Sequence, residues 1–413
     1  MPSFIATNVQ QWVNLRDMND LRTHWGLDPE VNFLNHGSFG ACPKSVLAEQ
    51  SRLRAQLEAE PVRFMVRELP ELLHGALSAL ADFVDADQDG LAFVNNATTG
   101  VNAVLRSLDI ELGDELLCTN HEYNACRNAL EFVAARNGAT IRIVDIPFPL
   151  KSDDQVVDAI LDAVTPKTKL ALVDHITSAT ALVLPIERIV AELKKRGVLV
   201  LIDGAHALGM VPLSLKKLGV DFYTSNAHKW LCTPKGSAFL WVAEEHRSWV
   251  RPAVISHGAN APTSVQSRYR WEFDWQGTSD PTPWLCIPKA IEVMGGLFAG
   301  GWPELQRRNR SLTLEARDLI LSVLGTQQPC PDEMIGSIAT IPIGRDEPKI
   351  MKDHFDILPM QRALHDDYGI QVPFHQFPAA PTQWVRISAQ AYNSMADYEA
   401  LAQALGEINK GTN

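Results

Sequence analysis

Between about residues 75 and 290, short apolar runs alternate with amphipathic stretches, and no other feature limits the possible folds as much. The runs are Leu91 to Val94, Glu115 to Cys118, Thr140 to Ile146, Lys169 to Asp174, Val198 to Asp203 and Ala238 to Val242. Strand-length runs separated by helical crossovers build an α/β fold with a mostly parallel central sheet and helices on both faces. Ligands of such sheets gather at the carboxyl ends of the strands, so the chemistry is read in the polar residues that follow each run.

Beyond about residue 290 the pattern changes to α+β. Helical character over 302–324 precedes a strand near 337–343, a helix over 358–367, and strands near 370–372 and 384–388. A last helix is marked by Ser394 as N-cap, Asp397 three residues on, and Tyr398, Leu401, Leu405 and Ile408 on one face. This predicts a large domain over 31–290 and a smaller C-terminal domain over 291–413, with residues 1–30 packing on the small one. The stretch from Val254 to Arg270 has no period and reads as a long loop lining a site.

With 413 residues, 46% of them hydrophobic, the chain can bury a core of that size. Its formal charge of −12 and the absence of a Lys/Arg cluster exclude a nucleic-acid backbone as partner and favour a small molecule. No stretch of eighteen apolar residues offers a membrane span, and the first twenty residues lack a basic start followed by an apolar block, which predicts a cytoplasmic protein. Six cysteines without CxxC spacing argue against zinc or a disulfide framework and read as reduced thiols. The acidic turn from Asp85 to Gly90 imitates half a calcium loop, but the twelfth position is Asn96 where a bidentate Glu belongs.

The chemistry concentrates between Val198 and Gly236. An apolar run ends in Asp203, and twenty-six residues later comes Lys229, preceded by His228. An amine and an acid delivered to two sides of a cleft are what pyridoxal phosphate needs, one to hold its aldehyde and one to keep its ring nitrogen protonated. Asp203 alone reads equally well as a helix cap. Lys229 has a rival in Lys235, but Pro234-Lys235-Gly236 looks like an ordinary turn, whereas Thr224 to His228 gathers phosphate-type donors beside Lys229. His206, three residues after Asp203, is placed to back up a ring.

Other strand ends add candidates. Asn96-Ala97-Thr98-Thr99-Gly100 joins a run to an amphipathic helix and suits either a phosphate or a plain N-cap. Tyr123 could lie over a flat ring or pack between helix and sheet, and Ser178 offers a hydroxyl at the same edge. Arg386 sits in a short apolar strand, where a planar fork matches either a substrate carboxylate or a structural ion pair. Arg63 could meet an acidic substrate group or merely a helix carboxylate.

Taken together, Phe33-Leu34-Asn35-His36-Gly37-Ser38-Phe39-Gly40, HKWLCTPKGSAFLW, WQGTSDPTPW and Arg386-Ile387-Ser388 resemble the class V aminotransferase superfamily of fold type I pyridoxal phosphate enzymes, and most of all its isopenicillin N epimerase-like branch. The resemblance implies that Lys229 carries the cofactor and that Asp203 partners its ring nitrogen. It implies that Thr98, the backbone of Ala97, Asn226 and His228 hold the phosphate, that Tyr123 stacks on the ring, and that Ser178 and His206 lie near its phenolic oxygen. Thr278 matches a residue reaching the neighbouring subunit's phosphate, which implies a homodimer with shared sites. Arg386 matches the substrate carboxylate clamp, with Asn35, His36 and Arg63 as further substrate contacts.

The implied activity is epimerisation at an amino-acid α-carbon, with β-elimination from a cysteine derivative as the first alternative and transamination as the second. Desulfurases of the superfamily use a cysteine shortly before the arginine strand, yet no cysteine follows Cys330 here. A cofactor-free binding protein is the non-enzymatic alternative, opposed by the retained Lys229 and Asp203. A nicotinamide enzyme is disfavoured because no GxGxxG opens a helix after the first strand.

Overall fold

The computed structural model describes residues 21–346 and 357–410, so most of the N-terminal segment expected to pack on the C-terminal part lies outside the described residues. A short strand β1 (Asn32–Phe33) opens the described elements and pairs in parallel with β10 (Ile370–Gln371). Just before it, Trp25 is buried, donates to the Ala41 carbonyl at 3.2 Å and meets the Tyr392 ring edge-on at 5.1 Å.

The main sheet uses seven strands in the order β2-β8-β7-β6-β5-β3-β4. They are β2 (Leu91–Val94), β3 (Glu115–Thr119), β4 (Thr140–Val144), β5 (Thr168–Asp174), β6 (Leu199–Asp203), β7 (Phe222–Asn226) and β8 (Ala238–Val242). Each apolar run of the sequence therefore becomes a strand. The additional one, β7, escapes a search for apolar runs because its second half, Thr224-Ser225-Asn226, is polar. Only β8 runs against its neighbours, being antiparallel to both β7 and β2. The other six run the same way, so β2, β3, β5, β6 and β7 deliver their carboxyl ends to one edge.

Alternation along the strands sorts side chains into two cores. Val173, Val200, Ile202 and Tyr223 join one buried cluster, while Leu170, Leu172, Leu201 and Phe222 join the other. Both faces of the sheet are thus covered by helices, as continuous apolar strands require. The first cluster continues into β9 (Ile338–Asp346) and β12 (Thr382–Ser388), which with β11 (Phe374–Gln376) form an antiparallel sheet in the order β11-β12-β9. That continuity seats β12, and with it Arg386, against the edge of the main sheet.

Two local expectations are refined. The stretch read as a loop from Val254 to Arg270 contains a 3-10 turn, His257–Asn260, and the start of a helix, Arg268–Asp274, capped by Ser267 accepting from the Arg270 N–H. The acidic turn before β2 is held by cations of the chain itself: Asp85 pairs with Lys216 at 3.3 Å and Asp87 with Arg247 at 2.7 Å. The last helix, Met395–Lys410, begins where expected, with the Ser394 N–H donating to Asp397 at 2.8 Å. No helix among the described residues is long and apolar enough to cross a membrane.

Candidate active site

The shared strand edge borders a cavity of about 730 Å³, lined by Ala97, Thr98, Tyr123, Ser178, Asp203, His206, Asn226, His228 and Lys229 among others. Nine residues expected at the site, spread over more than 130 positions of sequence, therefore converge on one volume. That volume lies within the span of about 300–1,000 Å³ usual for small-molecule sites.

At its floor, Asp203 ends β6 buried, with Oδ1 accepting from the Ala205 N–H at 2.9 Å and Oδ2 from the Cys126 thiol at 3.0 Å. Burial pushes its carboxyl up, while those two donors and the Lys229 amine pull it back. The residue is not spent on capping a helix side-on, because the following turn takes only one N–H.

Lys229 follows β7 after a turn in which the Ala227 and His228 N–H groups both donate to the Ser237 carbonyl. Burial first, and then the Arg386 guanidinium, lower its amine to about 7. Its Nζ lies 3.1 Å from His206 Nε2, and His206 Nδ1 accepts from the Trp230 indole N–H at 3.4 Å. An indole N–H only donates, so it selects the His206 tautomer with its proton on Nε2, aimed at the Nζ lone pair. The chain Trp230 to His206 to Lys229 thus describes an uncharged amine. Gly40 closes this region from the other side at φ +69°, where a Cβ would strike the His228 carbonyl.

The helix Ala97–Ser107 opens the opposite end of the cavity, capped by Asn96, whose Oδ1 accepts from the Thr99 N–H at 2.9 Å. Asn226 Oδ1 accepts from the Ala97 N–H at 2.9 Å, so that backbone donor is already used. The polar groups that line this end are Thr98, the Asn226 amide nitrogen and His228, whose Nδ1 is tied to the Ser237 carbonyl at 3.0 Å. The helix dipole adds its positive end. Packing of that helix on β7 requires Gly100, since a Cβ there would overlap the Thr224 hydroxyl.

Arg386 is buried on β12, and its fork reaches only neutral oxygens. Nη1 donates to the Ser178 carbonyl at 2.6 Å and Nη2 to the Ser38 hydroxyl at 3.1 Å, while Nε has no partner. Among the described residues no carboxylate forms an ion pair with it. Burial lowers the guanidinium to about 10. Ser38 is held in turn by Asn35 Oδ1 at 2.6 Å, which connects Asn35 to the arginine at one remove.

The remaining expected contacts lie elsewhere. Both ring nitrogens of His36 are engaged, Nδ1 with the Tyr392 hydroxyl at 2.8 Å and Nε2 with the Lys229 carbonyl at 3.0 Å, so it braces the lysine segment from behind. Arg63 pairs with Glu60 at 3.1 Å and Glu68 at 2.8 Å, the helix-carboxylate option, away from the cavity lining. Thr278 is exposed and also outside that lining. Sequence reasoning missed Trp230, Ser38 and the second cavity acid, Asp174. Trp230 adjoins the lysine and could have been weighed; Ser38 carries no signal until β12 is folded against it.

These parts fit pyridoxal phosphate. A buried uncharged amine faces a hydrogen-bonded carboxylate, a helix N-terminus with unused polar groups stands at one end, and an orphaned guanidinium stands at the other. The model of the Aminotransferase class-V family matches residues 40–401. The isopenicillin N epimerase of Amycolatopsis lactamdurans is 34% identical over 415 residues, covering 97% of this chain and 99% of that protein. A probable chloroplastic L-cysteine desulfhydrase of Arabidopsis thaliana is 30% identical, covering 92% of this chain and 83% of that one. The solved structure of a C-DES mutant with glycine covalently linked to its PLP cofactor superposes with a TM-score of 0.76 at 19% identity, over 96% of this chain and 100% of that one. The chain therefore belongs to the class V aminotransferase family and is a pyridoxal phosphate-dependent enzyme.

Proposed function

We propose that this enzyme acts at the α-carbon of an amino acid and that the reaction is epimerisation. One observation carries the substrate class: Arg386 is a buried cation whose hydrogen bonds go only to neutral oxygens. Burying such a fork without an anion is costly, and a carboxylate ligand relieves it bidentately. The relatives named isopenicillin N epimerase support the reaction.

When bound, pyridoxal phosphate supplies the electron sink that stabilises negative charge at the substrate α-carbon. The chain's residues do the rest. Lys229 carries the cofactor and, as an amine lowered to about 7, takes the α-proton from one face near neutral pH, and inversion is completed by a proton delivered from the opposite face. Asp203 holds the ring nitrogen, Tyr123 covers the ring, and Ser178 and His206 stand near the phenolic oxygen. Thr98, Asn226 and His228 bind the phosphate, and Arg386 orients the substrate carboxylate with Asn35 and Ser38 behind it.

Elimination from a cysteine derivative is the second reading. Among the described residues Lys229 is the only lysine lining the cavity, and elimination needs one base where epimerisation needs a donor on the other face. The desulfhydrase relatives support it. Incubating the purified protein with amino acids in deuterated water separates the two. Label returning at Cα with inversion supports epimerisation, pyruvate with ammonia supports elimination, and a protein without the visible cofactor band that borohydride cannot label at Lys229 removes both.

The same reading includes a homodimer. Phe39, at the cavity rim, is 72% exposed, and Val254, Ile255 and Val265 are exposed apolar side chains too, which suits a second copy bringing Thr278 to its neighbour's phosphate end. Sedimentation equilibrium checks it. We also place the division between large and small domains near residue 290, between β8, the last strand of the main sheet, and β9, the first of the antiparallel sheet.

A further inference from the structure

Three buried carboxyls meet at the cavity floor. Asp174 and Asp203 are directly opposite on β5 and β6, so both side chains leave the same face of the sheet. Glu122, in the turn after β3, joins Asp203 and Cys126 in a group whose carboxylate and thiol atoms all lie within 4.8 Å of one another. Each of the three acids is at least nine-tenths buried, with Glu122 7% exposed and Asp174 and Asp203 each 2% exposed.

Their surroundings differ. Asp203 receives the Cys126 thiol and the Ala205 N–H, whereas neither oxygen of Glu122 and not Oδ2 of Asp174 has a hydrogen-bond partner. A buried anion without donors costs several kcal/mol by order of magnitude, and carboxylates sharing one site do not all ionise. The groups facing the cluster offer little compensation: the Tyr123 N–H pulls Glu122 and Asp174 down, but burial outweighs it. Lys229 faces Asp203, and the Cys118 and Cys126 thiols stay protonated because burial pushes both up. Arg127, on the helix Asn124–Asn137, gives Nη2 to the Thr119 carbonyl at 3.0 Å and forms no ion pair with the three acids, while Arg386 faces Tyr123.

We propose that Glu122 carries a proton at neutral pH and, as a positioning residue, leaves Asp203 the charged carboxylate that meets the cofactor ring; only that last consequence rests on the functional reading above. Burial, followed by the charges of Asp174 and Asp203, drives Glu122 well above the ordinary carboxyl range, and Asp174 is raised by burial and then by Asp203.

The test is infrared spectroscopy of the full chain as purified, since pyridoxal phosphate contributes no carboxylic acid. At neutral pH the wild type should show protonated-carboxyl C=O absorbance from which Glu122→Gln removes the share of one carboxyl. Denaturant unfolding supplies a second readout. A group protonated in the folded state and ionised in the unfolded state makes stability fall as pH rises above the ordinary carboxyl value. From about pH 5 to about pH 7 the wild type should therefore lose up to about tenfold in folded-to-unfolded ratio per pH unit relative to Glu122→Gln. A neutral-pH spectrum without the band, or a wild-type minus Glu122→Gln difference spectrum in which no protonated-carboxyl intensity is lost, overturns the proposal. Should that variant fail to fold, Asp174→Asn decides: it must lower the midpoint at which the wild-type band disappears on raising the pH, and an unmoved midpoint overturns the proposal. Visible absorbance of the same samples reports cofactor separately, so its absence removes the functional reading and leaves the infrared result to judge Glu122.

Discussion

His206 Nε2 lies 3.1 Å from Lys229 Nζ, and the proton between them belongs to the histidine because Trp230 occupies the other ring nitrogen. Catalytic amines are usually made nucleophilic by burial or a neighbouring cation, and Lys229 has both. The structure adds a tautomer lock on top of them.

Trp230→Phe removes that lock while keeping an aromatic side chain of similar shape. His206 can then accept from a protonated Lys229, so the amine becomes more basic. The rate at which the apoprotein takes up pyridoxal phosphate, followed by visible absorbance, should have its pH midpoint above the wild-type value of about 7. An unchanged midpoint would show that the indole does not set the tautomer.

Cys126→Ala deletes the donor to Asp203 Oδ2. With one hydrogen bond fewer to its charged form, Asp203 becomes a weaker acid. Cofactor held through an ionised Asp203 is released as pH falls through its pKa. The acid limit of cofactor retention, measured by dialysis and absorbance, should therefore move to higher pH in the variant.

Arg386→Ala should weaken amino-acid binding by about 30-fold to several thousand-fold, the equivalent of about 2–5 kcal/mol for a buried charge pair. Spectral titration of the bound cofactor with amino acids measures it. Because the guanidinium has no carboxylate partner in the unliganded protein, the thermal midpoint should fall little by comparison.

Gly40→Ala places a methyl group against the His228 carbonyl at a left-handed φ of +69°. The clash cannot relax through a side chain, since its partner is backbone next to the lysine. A loss of about 1–3 kcal/mol in unfolding free energy is expected together with weaker cofactor retention. Gly197→Ala, also at positive φ but with open space around it, separates conformational cost from contact and should cost less.

The strands were legible because each is a compact apolar run, and β2 and β8 coincide with Leu91 to Val94 and Ala238 to Val242 to the residue. The polar end of β7 was not legible as strand, since Thr224, Ser225 and Asn226 are buried only by virtue of their partners on β6 and β8. At the site, Asp203 and Lys229 stand out because a strand-end acid and a lysine at that spacing carry chemistry. That the Ala97 N–H is already engaged by Asn226, 129 positions away, was not legible, although the Ala97 backbone lines the cavity as the resemblance implies.

Sequence by itself determined the α/β class, the edge where ligands gather, and the amine and acid of the site, because period, spacing and residue type act locally. Tertiary structure decided which of two lysines is buried beside Asp203, that Arg63 and His36 are already engaged, that Arg386 is left without an anion, and that three acids share one floor. Each of these is a question of desolvation and of competing partners, and both are set by residues far apart in the chain that only the packed sheet brings within a few ångströms.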